Sequence, residues 1–261
     1  MKYLFLTVAA LISVFPLYWM FVSATNTSMD VLGGKLLPGK NLITNFKMLS
    51  ARANVAQAMW NSLRNSIVAT VSSLIIGSIA GYGFEIYHDR GKDLLMSFLL
   101  LSMMIPFAAI MIPLFMMIGK LNLLNTTTAF VLPTLSTAFI IFLFRQSARF
   151  FQQEIIEAAR IDGLSELGIF VRMYIPVMRS TYATAGIITF MAAWNNYLWP
   201  LIILQSPKSQ TMPLVLSKLV AGYVTDYGLL MLAVSLSVLP IIVIFLILQK
   251  NFAEGVVASV K

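Results

Sequence analysis

The sequence predicts an all-α integral membrane protein with six transmembrane helices and one long polar helical loop. Hydrophobic residues make up 59% of the chain and charged residues only 11%, whereas a typical soluble domain is about 25% charged. The apolar residues are gathered into runs of about 20 residues, the length that a helix needs to cross a bilayer. These observations exclude a soluble globular protein.

Charge and cysteine content exclude further function classes. The net charge is +8 at pH 7, but Lys and Arg residues stand singly between apolar runs, whereas a nucleic-acid interface needs clustered basic residues. The chain has no Cys and one His, which excludes disulfides and argues against a zinc or redox centre. We therefore expect lipid as the surroundings of the chain, and neither metal nor nucleic acid as its partner.

We expect spans at about residues 3–22, 66–84, 94–118, 126–144, 181–204 and 229–248, with the polar loop at about 149–179, in a single transmembrane domain covering 1–261. The first run also allows a secretory signal peptide, with Lys2 in front and a cleavage site after Ala24. It is longer than the usual 7 to 15 residues and contains Pro16, which favours a span.

The second and third runs contain helix-packing and helix-bending residues. Gly77 and Gly81 form a G-x-x-x-G pair, which allows close helix contact but also arises often by chance. Pro106 and Pro113 predict kinks in the third run, either beside a cavity or simply for packing. Between these runs we expect His88 to be a solvated loop residue, with no nucleophile or ligand set beside it.

The segment from Thr25 to Met59 is predicted to be an aqueous loop with one amphipathic segment before Trp60. Gly34 to Lys40 nearly matches a phosphate-binding P-loop, but Asn41 replaces the required Ser or Thr and no strand precedes it. That motif needs a strand–loop–helix context to hold phosphate. We therefore expect this chain to bind no nucleotide.

The fifth run ends in a polar and aromatic cluster formed by Trp194, Asn195, Asn196 and Tyr197. Two amides at membrane depth are costly unless they face water, protein or a ligand. Amides and aromatic rings suit a sugar, so these residues are our candidates for lining the substrate path. Trp and Tyr also gather at membrane interfaces for their own reasons, and that alternative stays open.

The polar loop is predicted to form two short helices joined at a glycine. Ile155, Ile156, Ala159 and Ile161 have helical spacing, and Gly163 fits the position just past a helix end. We expect a second helix to begin after Ser165. Pro176 should mark the transition from this helix to the next span. Because this polar loop lies between two predicted spans, we expect it to lie outside the bilayer.

This loop resembles the EAA loop of permease subunits from type I ABC importers, in the carbohydrate-uptake group of the maltose/oligosaccharide (MalG-like) type. Glu157, Ala158, Ala159, Gly163 and Pro176 fall on the family's pattern at the right spacing. Met173 and Ile175 stand where the family prefers Ile and Leu. The carbohydrate group is also resembled by the chain's ending, residues 252–261, and by the flanking Arg160, Asp162 and Glu166. The resemblance spreads over nearly all of the 261 residues.

The resemblance implies a non-catalytic permease that is driven by a cytoplasmic ATPase dimer, which would carry ATP and Mg. Glu157 would be a charged anchor for the ATPase, Ala158 and Ala159 a close-packing face, and Gly163 the turn, with Asp162 and Pro176 in the same coupling element. A second, different permease chain would complete the pore. An extracytoplasmic solute-binding protein would deliver substrate, and it would contact a segment comprising Thr211, Met212, Pro213 and Leu214.

The orientation of the chain in the membrane follows mainly from the resemblance. The 18 Lys and Arg residues divide almost evenly between the two sides of the six spans, so the positive-inside rule gives only weak support. The resemblance places the loop and both termini in the cytoplasm of a bacterial cell.

A secondary carrier or channel would need charged residues within the spans, and a membrane enzyme would need clustered His, Asp or Glu. The sequence does not distinguish one sugar from another.

Overall fold

The computed structural model describes residues 2–135, 137–221 and 225–258, with side chains described as far as residue 247. Every regular element within these residues is a helix, as predicted. The ends of the chain and Ser136 of the predicted fourth span lie outside the described residues. The helices are α1 (Lys2–Ser23), α2 (Ser28–Leu32), α3 (Leu42–Arg52), α4 (Val55–Ile86), α5 (Arg90–Ser102), α6 (Phe107–Lys120), α7 (Thr127–Val131), α8 (Ala138–Ala148), α9 (Gln153–Ile161), α10 (Glu166–Ile169), α11 (Ile175–Val177), α12 (Arg179–Trp194), α13 (Leu198–Ile203), α14 (Met212–Val220) and α15 (Tyr227–Ala258).

Three helices in the described residues are long and apolar enough to cross a membrane. They are α1, α4 and the Tyr227–Ile247 part of α15, with 22, 32 and 21 residues. The helix α4 begins 11 residues before the second predicted span, because Val55 to Asn65 continue the same helix. The first, second and sixth predicted spans therefore each correspond to one long helix.

The third and fourth predicted spans are each divided into two helices. The helices α5 and α6 meet at a bend of 96°, and α7 with the 3₁₀ turn Leu132–Thr134 forms a second bent pair with α8. If each pair is one span, the described residues hold up to five. The fifth predicted span corresponds to α12, of 16 residues, and α13, of six, so the count of six stays a prediction.

Pro106 explains the break between α5 and α6. Proline has no N–H for the helix ladder, and it pushes the residue before it out of the helical region. Pro106 itself is extended, with φ −59° and ψ 132°, and α6 begins at the next residue. Pro113 lies inside α6 without ending it, so only one of the two predicted kinks becomes a break.

The described residues of 2–62 and 206–243 form one compact unit. Its core includes Ala24, Leu49, Leu229, Leu232 and Ala233. The side-chain amide of Asn45 donates hydrogen bonds to the carbonyl oxygens of Ala24 and Asn26, at 2.9 and 3.0 Å. These bonds fold the segment 25–59 back on itself. The segment contains α2, α3 and the start of α4, which is more helix than the one amphipathic segment that the sequence predicts there.

The described residues of 63–205 and 244–258 form the second unit. In it α8 packs directly on the glycine face of α4: a Cβ added at Gly77 would lie 2.6 Å from Ile140 Cγ2, and one at Gly81 would lie 2.6 Å from Phe144 Cβ. Residues 77 and 81 are one helical turn apart, as are 140 and 144, so the two helices interlock. The prediction of close helix contact at this pair is confirmed.

Candidate functional site

The polar loop folds into a sharply turned pair of helices, α9 and α10, which we call the elbow (Gln153–Ile169). Gly163 lies just past the end of α9 with φ +80°. Its N–H donates to the Arg160 oxygen at 3.1 Å, and the Leu164 N–H donates to the Ala159 oxygen at 3.0 Å. This pair of bonds is a Schellman motif, which needs a left-handed residue at the position of the glycine. The Ser165 hydroxyl then caps α10 by accepting from the Gly168 N–H.

Gly163→Ala is expected to weaken the elbow through backbone strain alone. A Cβ at residue 163 would meet nothing within 4 Å, but the left-handed backbone costs a non-glycine residue about 1–2 kcal/mol. Hydrogen exchange at the Leu164 amide should therefore quicken by about fivefold to thirtyfold. Gly163→Asn is the control, since Asn tolerates this conformation better. Unchanged exchange in the Ala variant would contradict the prediction.

The two faces of α9 have different surroundings. Ile156 and Ala159 are 1% and 2% exposed and pack into the second unit's core with Ile169. Glu157, Ala158 and Asp162 point to solvent. The spacing of these residues is helical on each face. Of the two alanines expected to form one close-packing face, only Ala158 is exposed, while Ala159 holds the helix on the protein.

Two exposed apolar side chains extend the solvent face of the elbow. Ile161 is 87% exposed and Leu167 is 72% exposed. The sequence grouped Ile161 with Ile155, Ile156 and Ala159 by helical spacing, but in the structure it does not share the buried side of α9 with Ile156 and Ala159. The pairing of apolar with charged groups on one exposed surface is typical of an interaction site. The only signal in the sequence was that residue 161 lies off the stripe formed by residues 156 and 159.

Hydrogen bonds of Glu166 link the two helices of the elbow to the segment after α4. Its carboxylate accepts from Arg160 Nε at 2.8 Å and from the Tyr87 hydroxyl. These bonds, that from Arg160 above all, lower the pKa of Glu166, and the bond to Glu166 raises the pKa of Tyr87. By contrast, no ion pair or hydrogen bond of the Glu157 carboxylate occurs in the described part of the chain. Glu157 is therefore available to a partner.

The elbow is mounted on a buried aromatic cluster. Tyr174 is fully buried, and its ring lies 4.8 Å from that of Tyr82 on α4 and 5.5 Å from that of Phe151. The chain reaches it through a π-helical turn at Phe170–Tyr174, and it remains helical through Pro176 as far as Val177. The wider turn leaves room for the missing N–H of the proline. The transition predicted at Pro176 therefore occupies the whole stretch from Phe170 to Met178.

The four path candidates have different places in the second unit. Trp194 is buried and stacks on Phe190 at 5.6 Å, and the Asn195 amide donates to the Met191 oxygen at 3.0 Å. Asn196 lines two cavities, of about 260 and about 460 Å³, and Tyr197 lines the larger one together with Asn195. Both cavities also expose Thr134 and Thr137, which the sequence analysis did not identify.

The predicted contact segment for a solute-binding protein lies mainly inside the first unit. Thr211, Met212 and Leu214 are 3%, 0% and 3% exposed, and Pro213 lies at the start of α14. The Met212 N–H donates to the Ser62 hydroxyl at 2.8 Å. The Asn61 amide donates to the backbone oxygens at residues 208 and 210. The segment therefore anchors the exposed turn that precedes it, around Pro207 and Lys208.

Comparison with known proteins identifies the family. The family model of the binding-protein-dependent transport system inner membrane component matches residues 73–257. The chain belongs to this family. The predicted class, a permease subunit of an ABC importer, is confirmed by this match and by the relatives that follow. Members of the family are permeases of the bacterial inner membrane, which agrees with the long apolar helices of this permease.

Curated relatives match along nearly the whole permease. It is 44% identical to the lactose transport system permease protein LacG of Rhizobium radiobacter, over 100% of this chain and 95% of that protein. It is 34% identical to the arabinooligosaccharides transport system permease protein AraQ of Halalkalibacterium halodurans, over 97% and 92%. It is 30% identical to the sn-glycerol-3-phosphate transport system permease protein UgpE of Pectobacterium atrosepticum, over 100% and 96%.

A solved structure shares the fold of the permease. A chain in the crystal structure of a bacterial ABC transporter involved in the import of the acidic polysaccharide alginate superposes with a TM-score of 0.82. The superposition covers 96% of this chain and 95% of that chain, at 22% sequence identity. At this identity the similarity establishes the fold of the permease and nothing about its substrate.

Proposed function

We propose that this permease forms half of the translocation path of an ATP-driven carbohydrate importer. A second, different permease chain completes the path, and a solute-binding protein delivers the sugar at the outer face. The energy comes from a cytoplasmic ATPase dimer, which holds the ATP and Mg. The permease itself catalyses no reaction.

The observation that carries the proposal is the elbow. It presents the carboxylate of Glu157, which has no hydrogen bond or ion pair in the described part of the chain, on a surface that also exposes Ala158, Asp162, Ile161 and Leu167. Its buried side is fixed to the aromatic cluster around Tyr174. A polar surface that is rigidly joined to membrane helices is suited to receive movement from a partner outside the bilayer. The EAA spacing of these residues supports an ATPase as that partner.

Carbohydrate is the substrate class best supported by the relatives and by the cavities. The curated relatives include transport permeases named for lactose and arabinooligosaccharides. In this permease Thr134, Thr137 and Asn196 line both cavities of the second unit, and Tyr197 lines the larger one. Hydroxyls, amides and aromatic faces are the groups that can bind a neutral sugar. We propose that the second permease chain lines the other side.

The proposed orientation follows from the role of the elbow. An ATPase that uses cellular ATP lies in the cytoplasm, so the elbow faces the cytoplasm of the bacterial cell. With six spans, at the bounds predicted from the sequence, both chain ends lie on that same side. The exposed turn around Pro207 and Lys208, held by Asn61, then faces outward toward the binding protein. Charge distribution contributes little to this assignment.

Reconstitution tests the proposal directly. An affinity-tagged permease, isolated from its own cells with its natural partners and placed in lipid vesicles, should accumulate labelled lactose, arabinotriose or sn-glycerol 3-phosphate only when ATP and the binding protein are present. The control is the permease purified alone in the same vesicles, which should move none of them. Uptake by the permease alone would identify a secondary carrier or channel and overturn the proposal. Isolation of the tagged permease without any ATPase would also contradict it.

A further inference from the structure

A buried arginine joins the ends of three helices beside the elbow. The Arg145 side chain on α8 is only 6% exposed. Its Nε donates to Glu85 Oε2 on α4 at 3.2 Å, and its Nη2 donates to Asp93 Oδ1 on α5. Arginine is almost never this buried unless it is paired. The two nitrogens of one planar group thus bond carboxylates from two different helices.

The position of this group in the fold suggests its role. Glu85 is the second-last residue of α4, Asp93 lies in the first turn of α5, and Arg145 lies in the last turn of α8. The helix α8 ends at Ala148, and the elbow begins five residues later. The segment that follows α4 carries Tyr87, which bonds Glu166 of the elbow. Arg145 therefore joins the helix ends to which the elbow itself is attached.

Two exposed side chains, those of Arg149 and His88, also lie beside the carboxylates that Arg145 bonds. Arg149 Nε lies 3.6 Å from the same Glu85 oxygen, and His88 Nε2 lies 2.9 Å from Asp93 Oδ2. The side chains of Arg149 and His88 are both 53% exposed. An exposed cation contributes little, whereas Arg145 is itself buried and bonds two carboxylates that are 20% and 46% exposed. The restraint therefore depends on Arg145, and Arg149 provides a natural control.

We infer that Arg145 is a positioning residue for energy coupling, which holds the ends of α4, α5 and α8 as one block that moves with the elbow. This inference rests on the proposed function. When a partner displaces the elbow, a block transmits the movement to the membrane helices. Without the arginine, the helix ends slide against one another and part of the movement is lost. ATP is then hydrolysed with fewer sugar molecules imported.

The variants must distinguish two roles of Arg145: holding the three helix ends in place, and merely neutralising the carboxylates of Glu85 and Asp93. Arg145→Met alone leaves Glu85 and Asp93 with only the exposed side chains of Arg149 and His88 beside them, and it can fail to fold. The triple variant R145M/E85Q/D93N removes all three charges and keeps similar shapes. Arg145→Lys keeps the charge but loses the planar two-point geometry. Arg149→Met is the matched control, because it removes a cation that lies near the same Glu85 oxygen but is exposed.

The first measurement is the distance between the helix ends in the isolated complex. Spin labels on Arg90→Cys and Phe150→Cys report on the start of α5 and the end of α8, and the chain has no other cysteine. In the wild-type background we expect the same distance without nucleotide and after trapping with ATP and vanadate. In the triple variant we expect the distance to broaden or shift between the two states. An unchanged distance in the triple variant would overturn the inference.

The second measurement is the number of ATP molecules hydrolysed per lactose molecule taken up by vesicles. We expect this ratio to rise by about threefold to tenfold in the triple variant and in Arg145→Lys, and to stay at the wild-type value in Arg149→Met. A purely structural role would lower hydrolysis and uptake together, leaving the ratio unchanged, and would overturn the inference. If the wild-type complex shows no ATP-dependent uptake of any of the three probes, the proposed function fails, and the distance measurement still decides whether the helix ends form a block.

Discussion

Glu157→Lys is expected to abolish ATP-driven sugar uptake while leaving the permease in the membrane. Glu157 is exposed at the middle of α9, and its carboxylate bonds nothing in the described residues. Glu and Lys have similar helix propensities, and the buried side of α9 is untouched. The fold should therefore survive. What changes is the sign of one exposed charge on the proposed docking face.

The size of the expected loss follows from the energetics of interface charges. Truncating one partner of a desolvated charge pair costs about 2–5 kcal/mol, and each 1.4 kcal/mol is about tenfold in affinity. Reversal of the charge adds repulsion. We expect uptake to fall below detection, and the amount of ATPase that co-purifies with the permease to fall with it. Glu157→Gln should retain a measurable part of both.

Glu154→Lys is the matched comparison for this experiment. It makes the same change of charge on an exposed residue one turn earlier in α9. Residue 154 lies outside the motif, so uptake should fall far less. An equal loss in both variants would show that any added positive charge on α9 is harmful. It would contradict a specific role for Glu157.

The elbow could be predicted from sequence because its determinants are local. Gly163 and Ser165 define a helix end and a helix start within three residues of each other, and the structure has both. The long helices α1, α4 and α15 were equally predictable, since uniform apolarity over about 20 residues needs no tertiary information. In each case the signal and the structure that it specifies occupy the same short stretch of chain.

Features that depend on distant contacts could not be read in this way. The helix α3 is held by Asn45, whose amide donates to the carbonyl oxygens of residues 24 and 26. The sequence around residue 45 does not indicate that these distant carbonyls are its acceptors. The same limit applies to Thr211 and Met212, which are buried through contacts with α4. Pattern alone cannot show which polar segment is buried by another part of the chain.

The surroundings of Arg145 and Ile161 were also not predictable, because they depend on which groups lie next to these residues. Arg145 was expected just beyond the fourth span, but α8 continues to Ala148 and the carboxylates of two other helices make the burial of this arginine possible. Ile161 shares the helical apolar spacing of Ile156 and Ala159, yet it is exposed. An exposed isoleucine next to the motif is consistent with the proposed docking surface. In both cases the missing information was the identity of a neighbour.

Gly81→Ala is expected to push α4 and α8 apart. A Cβ at residue 81 would lie 2.6 Å from Phe144 Cβ, 2.7 Å from the Arg145 nitrogen and 2.9 Å from the Ile141 oxygen. Two of these three atoms belong to the backbone, so no change of rotamer relieves the clash. Overpacking of this kind typically costs about 1–3 kcal/mol or more. Because Arg145 is itself one of the contacted residues, the ion pairs at the end of α8 should also be disturbed.

Gly83→Ala makes the same substitution in the same helix, but it is expected to preserve or raise the stability of the permease. A Cβ at residue 83 would meet nothing within 4 Å, and replacing a helical glycine by alanine favours the helix by about 1 kcal/mol. The thermal unfolding midpoint of the purified complex should therefore fall for Gly81→Ala and hold or rise for Gly83→Ala, and uptake should be lost only in the former. Equal midpoints in the two variants would contradict the close approach of α8 to the glycine face, on which the rigid mounting of the elbow depends.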